Sequence, residues 1–196
     1  LVALSNTPEL RDLFNYRFTD GSLKGHAFGN LFLTALEKMK GNFAEGVEFA
    51  SQLLNITGVV EPVTLSDVTL KMRGPDGEIV EGEHNIGYSK FKLGEKSPEF
   101  WLDPSPEANP RAITAINQAD MVVIAPGNLY GSLAPALIAP GIQKALQTTK
   151  ALKIYVCNLV TKPGQTDNFM VHDFANEINR LCGGAVLDAV LFNTET

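Results

Sequence analysis

The chain has 196 residues, 44% hydrophobic and 19% charged, which is enough apolar material for one globular domain with a substantial core. A formal net charge of -6 and a pI near 5.1 argue against general affinity for nucleic-acid phosphates or anionic membranes. No apolar run is long enough to span a bilayer, and the start lacks a basic, signal-like pattern.

In chain order, the first segment is mixed and polar. HAFGNLFLTALEKMK then places Phe28, Leu31, Phe32, Ala35, Leu36 and Met39 at helical spacing, predicting a helix over 26–40. A second helix is predicted over 41–55, where Asn42 and Glu45 have capping-box spacing ahead of Phe43, Val47, Ala50 and Leu54. From Val59 the pattern turns to β-type runs, VVEPVTL, VTLKM and EIVEG, with Asp76-Gly77 at a turn, so residues 68–82 should form a hairpin. The stretch 87–110 is rich in Pro, Lys and Glu, an excursion whose Phe100, Trp101 and Leu102 are expected to dock on the main body.

The second half has a clearer grammar. PRAITAINQAD predicts a short helix with Pro110 in its first turn, MVVIAP (121–126) a strand, and PGIQKALQTTK (140–150) another proline-started helix. LKIYVCN (152–158) is a second strand. TDNFMVHDFANEINRLCGG (166–184) is a long helix with Thr166 as its N-cap and Val171, Phe174, Ala175, Ile178, Leu181 and Cys182 on its buried stripe, and AVLDAVLFN (185–193) is a third strand. Strand alternating with helix indicates an α/β, Rossmann-like three-layer domain with a mainly parallel central sheet. A single domain over 1–196 is expected, with a small β-hairpin and loop excursion at 59–110. Cys157 and Cys182 lack CxxC or metal-ligand spacing, so a reducing, cytoplasmic setting is expected.

Ligands of open parallel sheets collect beyond the carboxyl ends of the strands, which selects APGNLYGS and NLVTKPGQTDN. In the first loop, Gly127 and Gly131 would let backbone N–H groups approach an anion, with Asn128, Tyr130 and Ser132 as neutral donors. A plain strand-ending turn, with Tyr130 covering its rim, accounts for the same residues equally well. The second loop offers Asn158, Thr161, Gly164, Gln165, Thr166 and Asp167, although a helix cap explains the last two. His26, Gly29 and Asn30 form a third polar cluster at the start of the first helix; a lone His26 is more often a cap than a catalyst. The histidines show no metal-site spacing, and no Gly-x-Ser-x-Gly, Walker or GxGxxG motif occurs.

GHAFGNLFLTAL, NQADMVVIAPGNLYGSLAPALIAPGI and IYVCNLVTKPGQTDNFMVHD, in this order, resemble the family that contains 2-phospho-L-lactate transferase and the gluconeogenesis factor. The hairpin DGEIVEGEHNI is closer to the gluconeogenesis-factor branch. The resemblance implies a cytoplasmic, nucleotide-binding regulatory protein of carbon metabolism and cell shape that takes a UDP-sugar such as UDP-N-acetylglucosamine. The other branch implies a transferase that moves a phospholactyl group to a deazaflavin with Mg²⁺, with Asp167 a candidate for positioning the metal or substrate. An interaction domain without ligand binding is the third alternative.

The ligand-binding residues that the resemblance implies are Gly127, Asn128, Leu129, Tyr130, Ser132, Asn158, Thr161, Gly164, Thr166 and Asp167, with His26, Gly29 and Asn30 at the early helix. No catalytic residue and no metal ligand is assigned, and Mg²⁺ is expected only under the transferase reading. Expected partners are a nucleotide or nucleotide-sugar and, as an open alternative, a second copy of the chain. The family's N-terminal GGGTG-like loop and DDGGSSG-like segment do not occur in this sequence, and LVALSN matches the stretch just after them.

Overall fold

The computed structural model describes residues 1–90 and 97–194. It divides into two compact units, Leu1–Leu65 and Ser66–Thr196. The part of the expected 87–110 excursion at 91–96 lies outside the described residues.

The first unit is helical: α1 (Pro8–Asn15), α2 (Phe28–Lys40) and α3 (Phe43–Leu53). Helix α1 was not anticipated, although Pro8 stands in its first turn, where the missing N–H costs nothing. Phe14 on α1 meets the rings of Phe28 and Phe32 on α2 edge-on, with centroids 5.5 and 4.9 Å away. Asn42 caps α3 as expected, the Glu45 N–H donating to Asn42 Oδ1 at 2.9 Å, but Glu45 Oε1 accepts from the Asn42 side-chain Nδ2 at 2.8 Å in place of the backbone N–H that a capping box uses.

In the second unit, β1 (Thr69–Arg73) and β2 (Ile79–Glu81) form the expected hairpin, with Gly77 at a φ of 89° in the turn. A helix not anticipated follows at once, α4 (Glu83–Tyr88), and then β3 (Glu99–Asp103), which pairs antiparallel with β1. Phe100, Trp101 and Leu102 thus belong to the third strand of a sheet ordered β2-β1-β3. The run at 59–65, expected to be β-type, forms no strand of either sheet.

The remaining elements are α5 (Pro110–Gln118), β4 (Met121–Ile124), α6 (Ala134–Leu137), α7 (Pro140–Thr148), β5 (Leu152–Val156), α8 (Val171–Leu181) and β6 (Ala189–Leu191). Strands β4, β5 and β6 form a parallel sheet in that order, with Ile124 opposite Tyr155 and Val156 opposite Leu191. The molecule is therefore mixed α/β, a parallel sheet plus a small antiparallel one. Ile124 and Tyr155 are buried on one face of the parallel sheet, while Met121, Val123, Leu152 and Leu191 on the other face are exposed.

Helix α8 corrects one expectation. It begins at Val171, not Thr166, and its start is fixed by Asp173, whose Oδ2 accepts the Met170 N–H at 2.8 Å. At its far end, Gln143 and Gln147 of α7 donate to the carbonyls of Leu181 and Cys182 at 2.7 and 2.8 Å, satisfying groups that a helix end leaves bare.

Candidate functional site: two joined loops on a short helix

Because β4 and β5 run parallel, the loops that follow them leave the same edge of the sheet. The structure joins these loops through Gly127 and Asn158. Asn158 Nδ2 donates to the Gly127 carbonyl at 2.7 Å, and the Gly127 N–H donates to Asn158 Oδ1 at 3.3 Å. The buried Tyr155 hydroxyl donates to the same Oδ1 at 3.1 Å; burial raises this phenol's pKa to about 12. A Cβ on Gly127 would stand 3.2 Å from Leu133 Cδ2, so a side chain there would press on the loop's own packing.

The first loop coils into a single π-helical turn, Leu129–Leu133, capped by Asn128, whose Oδ1 accepts the Gly131 N–H at 3.3 Å. Leu129 and Tyr130 point into the protein, with Tyr130 fully buried and stacked on Phe100 of β3 at a centroid distance of 5.1 Å. Burial, and after it the Glu177 carboxylate, hold the Tyr130 phenol far above its ordinary titration range. Glu177 is itself buried and bound bidentate by Arg180, at 2.7 and 2.5 Å. Ser132 is exposed, and its hydroxyl donates to Glu83 Oε1 of α4 at 3.3 Å.

The second loop is held by short internal bonds. Thr166, buried, accepts the Lys162 N–H on Oγ1 at 2.7 Å, and Asp167 Oδ2 accepts the Gly164 N–H at 2.6 Å. These two side chains therefore shape the loop and do not start a helix. Gly164 has a φ of 79°, and a Cβ there would meet Lys90 Cγ at 2.7 Å, so both backbone and space require glycine. Thr161 is exposed.

Both loops rest on α4, which the sequence reading missed. Lys162 Nζ donates to the Gly87 carbonyl. Gln165, buried, donates through Nε2 to the carbonyls of Ile86 at 2.7 Å and Ser89 at 2.9 Å. A cation and an amide thus satisfy the bare carbonyl end of a helix, where the dipole favours positive charge. Six residues are too few for helical periodicity to register, and only Glu83 in the first turn hinted at a helix start.

The structure therefore brings Gly127, Asn128, Leu129, Tyr130, Ser132, Asn158, Thr161, Gly164, Thr166 and Asp167 into one pair of loops in the second unit. His26, Gly29 and Asn30 belong to the first unit. There, His26 is exposed with Nδ1 3.1 Å from the Leu23 carbonyl oxygen. A Cβ on Gly29 would stand 2.8 Å from the Phe14 carbonyl oxygen, so this glycine permits close packing of α2 on α1. Gly29 and Asn30 line a cavity of about 480 Å³ with Phe14, Leu33, Phe43 and Val47. Among the described residues, no group of three or more His, Cys, Asp or Glu could hold a metal ion, and no helix is long and apolar enough to cross a membrane.

These features define an α/β protein with a polar loop pair at the carboxyl edge of a parallel sheet. The family model described as 2-phospho-L-lactate transferase CofD matches residues 1–196, and the chain belongs to this family. A relative from Clostridium acetobutylicum is 43% identical over 100% of this chain and 44% of its own length. The "Gluconeogenesis factor" of Halalkalibacterium halodurans is 38% identical over 100% of this chain and 60% of its own. A crystal structure of a UPF0052-family protein from Bacillus halodurans superposes with a TM-score of 0.89 at 38% identity, covering 100% of this chain and 62% of that one. The chain thus spans less than two thirds of the length of these relatives.

Proposed function

We propose that the chain is the core of a cytoplasmic regulatory protein that binds a nucleotide-sugar of the UDP-N-acetylglucosamine type and acts on carbon flow and cell shape. The observation that carries this reading is the joining of the two strand-end loops by Gly127 and Asn158 over α4, which makes one site of two polar segments. Its accessible donors are the Asn128 amide, the Thr161 hydroxyl and Lys162, while the Ser132 hydroxyl, whose proton goes to Glu83, can only accept. They suit a diphosphate and a sugar, which need several donors in fixed positions. The gluconeogenesis-factor names of relatives support the regulatory role.

The second reading is a phospholactate transferase, favoured by the description of the family model. There Asp167 would contribute to holding Mg²⁺, which would neutralise phosphate charge in the transfer. In this structure one Asp167 oxygen is already committed to the Gly164 N–H, so the loop would have to yield it. A domain that binds no ligand and acts only on other proteins is the third reading.

Calorimetry separates the three. UDP-N-acetylglucosamine and GDP are each titrated with and without Mg²⁺. Metal-independent binding of the UDP-sugar is expected. Mg²⁺-dependent GDP binding with deazaflavin turnover would overturn it in favour of the transferase, and binding of neither in favour of the interaction domain.

A further inference from the structure

We infer that Lys162 and Asn128, one from each loop, form a seat for a phosphate group above Gly87, and that Lys162 supplies its positive charge. The inference rests on the nucleotide-sugar reading and goes further by naming the groups that would recognise the diphosphate. Lys162 is the only basic residue in 125–133 and 157–168. It is half-buried, and its Nζ donates to the Gly87 carbonyl. An ammonium has three donors, so this bond orients the group and leaves others available. Among the described residues no carboxylate pairs with it.

Asn128 brings the second donor. Its Oδ1 is engaged by the Gly131 N–H, which fixes the amide, and its Nδ2 donates to no described residue. The two nitrogens approach one spot. A Cβ on Gly87 would lie 3.4 Å from Asn128 Nδ2 and 4.0 Å from Lys162 Nζ. The missing side chain of a buried backbone position leaves two donors from different loops beside the same small space. Phosphate oxygens accept charge-assisted bonds at about 2.8 Å, so a single phosphate is large enough to engage both. A neutral amide alone scarcely separates a phosphate from any other acceptor; an ammonium beside it that no described carboxylate neutralises selects the anion.

The variants are chosen to separate charge from packing. Lys162→Gln keeps a donor for the Gly87 carbonyl and removes the charge. Asn128→Asp keeps the acceptor for the Gly131 N–H and replaces the donor with an anionic oxygen. UDP-N-acetylglucosamine, UDP and pyrophosphate are titrated calorimetrically at low and high salt, with melting curves for each variant. Loss of one charge-assisted hydrogen bond predicts roughly ten- to a hundredfold weaker binding of UDP by Lys162→Gln. Its salt dependence should also be flatter than that of the wild type, and its melting temperature close to the wild-type value. Asn128→Asp should weaken UDP at least as much. Wild-type affinity and wild-type salt dependence in both variants would overturn the seat while leaving the nucleotide-sugar reading standing. Binding of UDP and pyrophosphate but not the sugar nucleotide, lost in Lys162→Gln, would support the seat and overturn that reading. A wild-type protein that binds none of the three overturns both.

Discussion

Asn158 makes three of the hydrogen bonds that define the site, two with Gly127 and one with the Tyr155 hydroxyl. At a net of about 0.5–1.5 kcal/mol each, Asn158→Ala should cost roughly 1.5–4.5 kcal/mol, read as a lower urea midpoint at an unchanged slope. An unchanged midpoint would mean that the loops are held together by other contacts. Position beyond the strand ends and the family resemblance mark Gly127 and Asn158 as candidates to meet a ligand, but these residues spend much of their bonding on each other. That pairing depends on the register that sets Ile124 opposite Tyr155, and register is not written in either loop. Tyr130 shows the same gap: an aromatic in a polar loop resembles a rim residue, yet it is buried, stacked on Phe100 of β3 and close to Glu177 of α8.

At the scale of elements, the carboxylate of Asp188 fastens the start of β6 to β5. It accepts the Lys153 N–H at 2.8 Å and lies 2.9 Å from Lys153 Nζ. The backbone N–H, and after it the ammonium, lower the Asp188 pKa below the usual 3.8. A lowered folded value means that the unfolded chain binds this proton more readily. The stabilisation is therefore complete above the ordinary aspartate value and is lost as the pH falls through the lowered one. The stability gap between wild type and Asp188→Asn, followed by urea unfolding, should be present near neutral pH and close in acid. A gap that persists unchanged at low pH would assign the effect to something other than this ionisation.

Elements with strong periodicity or clear caps were legible: α2, α3, the hairpin, β4, α7 and β5 all fall where the pattern put them. The start of α8 was not. Thr166 and Asp167 have the chemistry of a helix start, yet the Thr166 hydroxyl accepts the Lys162 N–H and Asn168 takes a φ of 61°, which turns the chain off a helical path. Strand β3 was obscured because Phe100, Trp101 and Leu102 run together without the alternation that marks a half-covered strand.

For the molecule as a whole, the division at Leu65 and Ser66 has a measurable counterpart. Compact units with separate cores open as separate cooperative blocks, so native-state hydrogen exchange should give one opening free energy for the slowest amides of α1–α3 and another for those of β4, β5 and α8. One value shared by all of them under several denaturant concentrations would show a single cooperative unit. Composition could not foresee this division, because 196 residues with a 44% hydrophobic content suit one core as well as two.

The two bonds between Gly127 and Asn158 also set a chemical lifetime for the site. A side-chain amide there serves in place of one more backbone rung between β4 and β5, offering both a donor and an acceptor to a single residue. Hydrolysis of that amide to a carboxylate, the slow fate of asparagine in an ageing protein, would change only one group. It would nevertheless set an anionic oxygen against the Gly127 carbonyl oxygen and turn one of the two bonds that tie the loops into a repulsion.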